Sequence, residues 1–218
     1  MLSVVIPTLD AAATLPFCLA AVTGADEIVV ADGGSADATV RIAEAAGARV
    51  VRSAKGRGLQ LRAGAEAARG DWLLFLHADT LLGEGWREAA AAHARAAPGC
   101  AAVFGFRLAD AAWQARAIER AVAARVRLLA LPYGDQGLLI SRALYEEVGG
   151  YRPLPLMEDV DLVRRIGRRR LRSLPVAATT SAARWRRDGW LRRSGRNLGL
   201  ILLYRLGASP ERLARLYG

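Results

Sequence analysis

An α/β fold with a mostly parallel central sheet and a helical C-terminal extension is predicted by three observations. Short β-branched runs alternate with helical apolar spacing through the first half of the chain; each of those helical patterns stops at a glycine; and the pattern from Trp185 to Tyr217 is helical. Three β-α units in succession favour parallel strands joined by right-handed crossovers. With 218 residues and no long linker, one domain is expected, burying roughly 70% of the surface its unfolded chain exposes.

Leu2–Ile6 reads as a buried strand closed by Pro7, and helical spacing over Leu15–Val22 stops at Gly24. Glu27–Ala31 is a second strand running into Asp32-Gly33-Gly34-Ser35, where Ser35 or Asp37 can cap a helix that ends at Gly47. Ala48–Arg52 is the third strand. Lys55-Gly56-Arg57-Gly58 is a glycine-punctuated turn that opens a helix closing at Gly70, and Trp72–Leu76 is the fourth strand, followed by His77-Ala78-Asp79. The second half is less regular. Helices over 89–97 and 112–131 flank a strand over Ala101–Leu108, and a short strand over Gly137–Ile140 leads into a helix over Arg142–Val148. Glu158–Gly167 is helical, Leu171–Val176 extended, and the terminal helical stretch breaks at Ser209-Pro210.

A composition of 53% hydrophobic and 24% charged residues excludes a disordered chain. The apolar run Leu198–Tyr204 stops at Arg205, short of the roughly 18 residues a bilayer crossing needs. The N-terminus carries no basic region and Pro7 interrupts its apolar run, unlike a signal peptide. Cys18 and Cys100 stand too far apart for a CxxC metal site. A cytoplasmic protein is expected. The charge is asymmetric: residues 1–110 carry 10 basic and 12 acidic residues, whereas 111–218 carry 21 and 9. Such a surplus points to an anionic partner or surface.

Ligands of open α/β sheets bind beyond the carboxyl ends of the strands. Three polar elements fall there: Pro7-Thr8-Leu9-Asp10, Asp32-Gly33-Gly34-Ser35 and His77-Ala78-Asp79. Each alone also serves as a turn or helix cap; together on one sheet edge they point to a binding site. Neither a dinucleotide-binding nor a P-loop glycine motif occurs.

Ser3–Thr8, Glu27–Thr39 and Trp72–Asp79 closely resemble the nucleotide-sugar half of family 2 glycosyltransferases, and Tyr133–Gly137 with Met157–Leu162 resembles their acceptor half. His-Ala-Asp combined with Gly-Asp-Gln and a terminal Arg-Trp-Arg-Arg-Asp-Gly-Trp is similar to a short bacterial subgroup. The resemblance implies the GT-A fold, a Rossmann-like three-layer sandwich over residues 1–183. Its nucleotide-sugar half would be 1–110 and its acceptor half 111–183, with 184–218 a basic helical extension packed on it. It implies an inverting glycosyltransferase with a nucleotide-sugar donor and Mg²⁺ or Mn²⁺ on the diphosphate. By position, Asp32 corresponds to the carboxylate that recognises the base, with Pro7 and Thr8 in the same pocket and Asp10, Gly34 and Ala78 completing the donor set. Asp79 corresponds to the metal ligand, Glu158-Asp159 to the pair supplying the general base (Asp159 itself), and Gly134, Asp135, Gln136, Arg184 and Trp185 to acceptor-side residues.

These roles are chemically coherent. A hard cation on oxygen ligands stabilises the departing diphosphate, and an acceptor hydroxyl needs a carboxylate to take its proton. Lys55, Arg57 or Arg62 can add positive charge near the phosphates. His77 stands where the family usually has the first Asp of its metal motif, leaving two readings, ligand or hydrogen-bonded strand-end residue. Asp10-Ala11 replaces a common Asn-Glu, and Arg62 replaces a common asparagine; these departures bear on donor identity and metal dependence. Asp161, two residues beyond Asp159, would face elsewhere on a helix.

From Arg164 onward there are 15 arginines against Asp188 and Glu211. With Trp185, Trp190 and the Leu198–Leu206 segment, residues 184–206 suit an amphipathic helix on the inner, anionic membrane surface. A helix packed on the domain with solvated arginines fits equally, as does a segment in which Arg184 or Trp185 closes the site. A sugar-phosphate nucleotidyltransferase shares this kind of sheet but usually has a Gly-rich basic loop after strand one, where Thr8-Leu9-Asp10-Ala11 stands here. A basic membrane- or nucleic-acid-binding module is the non-enzymatic alternative. Nucleic acid is disfavoured as a partner, since Asp32, Asp79 and Asp159 would repel phosphates without a metal.

Overall fold

A computed structural model describes residues 1–129 and 132–217. The last two positions of the helix expected over 112–131 lie outside the described residues. The chain begins β1 (Leu2–Thr8), α1 (Leu15–Ala21), β2 (Glu27–Asp32), α2 (Thr39–Ala45), β3 (Arg49–Arg52), α3 (Arg57–Ala67) and β4 (Trp72–Phe75). β5 (Thr80–Leu82), α4 (Trp86–Ala96), β6 (Ala101–Leu108) and α5 (Trp113–Leu129) follow. After a 3₁₀ turn over Gly134–Gln136 come β7 (Leu138–Ser141), α6 (Arg142–Glu147) and α7 (Glu158–Ile166), and a second 3₁₀ turn over Arg168–Arg170 leads into β8 (Leu171–Thr180). Three helices end the chain: α8 (Ala183–Asp188), α9 (Trp190–Arg205) and α10 (Pro210–Tyr217).

The strands form one sheet in the order β3-β2-β1-β4-β7-β6-β8-β5. The expected parallel pairing holds for β3, β2, β1 and β4, and again between β6 and β8. The sheet as a whole is mixed, because β7 runs antiparallel to both β4 and β6, and β5 antiparallel to β8. From the edge strand β3 the chain crosses back over β2 and β1 to lay β4 on the far side of β1. The connections therefore leave β1 in opposite directions, which opens a crevice beyond the carboxyl ends of β1 and β4.

Alternation along β1 divides the core. Val4 and Ile6 face a cluster with Leu15 and Cys18 of α1 and Trp86 of α4, while Val5 faces Leu61 and Ala65 of α3 and Leu162 of α7. This gives the three-layer α/β/α arrangement. Two local departures have simple causes. β1 runs through Pro7, which pairs with Ala31 on one side, whereas the pairing with β4 ends at Val5, so no ladder donor is missed on the other. β8 runs through Pro175 because its register against β6 slips there, from Val103–Ser173 to Gly105–Ala177, placing the proline in a bulge.

Gly58 lets the start of α3 touch the 152–154 segment: a Cβ there would lie 2.4 Å from the Arg152 carbonyl oxygen and 3.1 Å from that of Leu154. Those are backbone atoms that cannot swing aside. Gly58→Ala should therefore lower the urea midpoint by an amount equivalent to about 1–3 kcal/mol. Gly99→Ala, whose Cβ meets nothing within 4 Å, should leave the midpoint unchanged or slightly raised. Equal midpoints for the two variants would show that the α3 contact is not tight.

Candidate active site

Two groups of side chains meet at the crevice. The first is built on the ends of β1 and β2. Asp32, nearly buried, accepts from the Thr8 hydroxyl (3.1 Å), the Gly34 and Ser35 amides (both 2.9 Å) and the Ser35 hydroxyl (2.5 Å). Burial pushes its carboxyl up, but the Ser35, Gly34 and Thr8 hydrogen bonds outweigh it and hold the group below the usual carboxylate range. Asp10, at φ 48°, meets the same loop: its amide donates to Ser35 Oγ (2.9 Å) and its carboxylate accepts from the Ala36 amide (2.8 Å). Beneath them the buried Gln60 donates through Nε2 to the carbonyls of Thr8 (2.6 Å) and Ala31 (3.0 Å), stitching the two strand ends together. A Cβ on Gly33 would come within 3.0 Å of that amide, so the glycine lets the loop lie flat on Gln60.

The second group lines a cavity of about 140 Å³ beside the end of β4. His77 and Asp79 enter from the strand end, Arg57 from α3, Gly134 and Asp135 from the 3₁₀ turn, Asp159 from α7, and Arg184 and Trp185 from α8. Met157, at φ 67°, turns the chain into α7 with its left-handed backbone, a strain of the kind found at functional sites. Three carboxylates in the first turn of α7 complement the helix dipole. Asp159 Oδ2 accepts from the Gly134 amide (2.6 Å) and Oδ1 from the Val160 amide (2.7 Å), so its orientation is fixed by backbone. Gly134 is wedged between two of these groups: a Cβ would lie 2.7 Å from His77 Nε2 and 3.3 Å from Asp159 Oδ2. Burial, reinforced by Arg57 and Arg184, pulls the His77 pKa down to about 3, leaving a neutral imidazole. Burial pushes Asp135 up to about 7 against the pull of Arg125, with Asp159 and Asp79 adding to the rise.

The sequence profile of glycosyl transferase family 2 matches residues 3–144, more than half of the chain. The chain belongs to that family. A PGL/p-HBAD biosynthesis glycosyltransferase of Mycobacterium bovis is 40% identical over 95 residues, covering 38% of this chain and 37% of that protein; the match thus spans little more than a third of the relative's length. Among solved structures, glucosyl-3-phosphoglycerate synthase of Mycobacterium tuberculosis in complex with Mn²⁺, UDP and glucosyl-3-phosphoglycerate superposes with a TM-score of 0.59. It shares 22% identity, over 83% of this chain and 70% of that one. TarS of S. aureus in complex with UDP-GlcNAc gives a TM-score of 0.63 at 18% identity, over 82% of this chain and 58% of that one. The fold is that of the GT-A glycosyltransferases.

Within this family 2 chain, several expected site residues sit elsewhere. Glu158 does not face the cavity; it is buried and ion-paired with Arg57, because neighbours on a helix lie about 100° apart and only Asp159 can point inward. Burial pushes the Glu158 carboxyl up while Arg57 opposes the rise. Gln136 turns into the sheet and donates to the Phe104 carbonyl (3.0 Å), so it anchors the turn instead of meeting a ligand. Arg62 is exposed and paired with Glu66 at 2.8 Å, since five residues past Arg57 carry it some 140° round the helix. Ala78 is part of the core. Asp161 ties to Arg165 (2.6 Å) and Arg152 (3.4 Å), a structural role. Two further residues of the site, Gln60 and Arg125, whose guanidinium lies 3.5 Å from the Tyr133 ring centroid, belong to no sequence motif. Only the oddity of a polar Gln60 between Leu59 and Leu61 marks the former.

Because the folded Asp32 holds its proton less readily than the unfolded chain does, its contribution is present at neutral pH. It should be lost as pH falls through and below the carboxylate range. Asp32→Asn should lower stability at pH 7 by about 1–3 kcal/mol and flatten the acid limb of a stability-against-pH curve from urea melts. An acid limb as steep as the wild type's would assign the hub to another group.

Proposed function

We propose that this chain transfers a sugar from a nucleotide-diphosphate donor to a hydroxyl acceptor with inversion at the anomeric carbon. The observation that carries the reading is the convergence of Asp159, Asp79 and Arg57 on one cavity beside the Asp32 loop, in a chain of family 2. The nucleoside would lie along Pro7, Thr8 and Gly34, on a loop whose shape Asp32 and Asp10 maintain. The diphosphate would run toward Asp79, with Arg57 and Arg184 near its oxygens.

The donor set suits a divalent cation that keeps most of its shell from water and substrate. Among the described residues no group of three His, Cys, Asp or Glu side chains could hold a metal ion alone, and Asp79 offers a hard carboxylate beside the neutral His77. Mg²⁺ or Mn²⁺ there would neutralise charge developing on the leaving diphosphate. The Mn²⁺ and UDP of the mycobacterial synthase complex support this choice of cofactor and donor class.

Asp159 is the base. Its two backbone hydrogen bonds aim a carboxylate into the cavity, where it takes the proton of the acceptor hydroxyl as oxygen attacks the anomeric carbon; the C–O bond to the diphosphate breaks on the opposite face. Gly134 and Asp135 would orient the acceptor, and Trp185 would wall it off from water. Glu158 acts as a positioning residue through Arg57. No helix among the described residues is long and apolar enough to cross a membrane. We place the enzyme in the cytoplasm, resting on the membrane through residues 184–206, a contact that the leucine-bearing outer face of α9 supports.

Asp159→Asn should reduce turnover by about 10²–10⁴-fold while UDP binding stays within twofold of wild type in titration calorimetry. Turnover near the wild-type rate would remove Asp159 as the base. Asp79→Ala should weaken UDP binding in the presence of Mn²⁺ by tenfold or more and leave metal-free binding unchanged. An affinity indifferent to Mn²⁺ in the wild type would contradict the metal role.

A further inference from the structure

A second, mainly apolar hollow of about 380 Å³ lies between α5 and α9, within the ~300–1,000 Å³ usual for small-molecule sites. It shares Tyr133, Asp135, Trp185, Asn197 and Ile201 with the catalytic cavity, so the two spaces adjoin. Ile118, Ala121 and Val122 of α5 form one wall and Leu198 and Leu202 of α9 the other. At the junction, Tyr133 Oη, Asp135 Oδ1 and Trp185 Nε1 are buried without a hydrogen-bond partner. Orphaned polar atoms are rare in folded proteins and mark places where a ligand completes the bonding. At the outer mouth, Leu198 and Leu202 line the groove while remaining 65% and 58% exposed, and the exposed Leu206 continues their row.

We infer that the acceptor is an alcohol carrying a hydrocarbon chain, alkyl or isoprenoid, whose chain lies in the α5/α9 groove. Its hydroxylated head meets Tyr133, Asp135 and Trp185 and reaches Asp159. The inference rests on the proposed transfer reaction and names its acceptor class. A wholly polar acceptor would leave the groove and its exposed leucine mouth without a use, whereas an amphipathic one satisfies the polar junction and the apolar walls together. The same outward leucines would let such a molecule enter directly from a lipid surface.

The test uses the full chain and a series of methyl, butyl, hexyl and octyl β-glucosides, each below its micelle concentration, in titration calorimetry. Affinity should rise by about two- to fourfold per added methylene. Ala121→Trp, an exposed position that fills the groove, and Leu198→Asp should both abolish the dependence on chain length. Their melting temperatures and Mn²⁺-dependent UDP binding should stay at wild-type values, showing an intact fold and donor site. An affinity flat from methyl to octyl, or an undiminished chain-length gain in both variants, would overturn the inference. So would a concentration-dependent dimer in light scattering that Leu198→Asp abolishes, since a second copy would then cover the groove. UDP binding in the same samples reports separately on the donor site. Its absence with chain binding intact would remove the transfer reading, and the converse would remove the groove alone.

Discussion

The buried contact between Arg57 and Glu158 organises the site more than any other interaction. Glu158 is almost wholly buried, and a carboxylate there is tolerable only with a charged partner. Satisfying it holds the start of α3 near the start of α7, and Gly58, by carrying no side chain, lets α3 lie against the 152–154 segment that leads toward that helix. With α7 so placed, Asp159 must point into the cavity, where it takes the Gly134 amide and fixes the turn. That turn also lies against His77, close enough that a Cβ on Gly134 would meet its ring. A single buried ion pair thus propagates, through one helix start and one glycine, to the groups on both sides of the cavity.

The basic C-terminal segment does two things at once, on two faces of the same helix. The inner face of α9, with Leu200 and Ile201, packs with Leu213 of α10 against Leu156, Met157 and Val160 at the start of α7. The tail therefore buttresses the element that carries Asp159. Several of its arginines are tied down internally: Arg187, Arg193 and Arg196 all approach Asp188, and Arg187, foremost through its hydrogen bond, and Arg193 hold that carboxyl down at about 2. Arg193 also lies over the Trp185 ring. The outer face instead presents leucines, with Leu191 90% and Leu206 76% exposed. Packing on the domain and contact with a lipid surface, which compete as readings of the sequence, are compatible in the fold because they use opposite sides of one helix.

Much of this architecture is legible in the amino-acid order. The first four strands and their helices fall where periodicity and glycine stops place them, because each β-α unit buries a continuous apolar run. The three polar strand ends do converge. What periodicity misses is set by tertiary pairing: β5 has three residues, too few to show alternation, and exists because β8 extends to Thr180 to meet it. β8 reads as ending at Val176, one residue past Pro175, and runs on to Thr180 because a register slip accommodates the proline and Ala178–Thr180 pair with β5. Side-chain direction is the other gap. A motif of adjacent carboxylates does not say which one faces a cavity, and the rotation of the α7 helix turns Asp159 inward and Glu158 onto Arg57. Gln136 and Gln60 read as ordinary amides, yet Gln60 satisfies buried carbonyls at the ends of β1 and β2, and Gln136 that of Phe104, where the β6–β8 register slips.

A double-mutant cycle on Arg57 and Glu158 addresses the central dependency most directly. Arg57→Met, Glu158→Gln and the two together would be compared by urea unfolding. Arg57→Met should be the more destabilising single change, because it strands the buried Glu158 carboxylate, whereas Glu158→Gln leaves an Arg57 side chain that is 39% exposed and partly solvated; the double variant should lose less than the two singles combined, with a coupling of about 0.5–3 kcal/mol. Additive losses would mean that the pair does not hold α3 against α7, and that the placement of Asp159 has another origin.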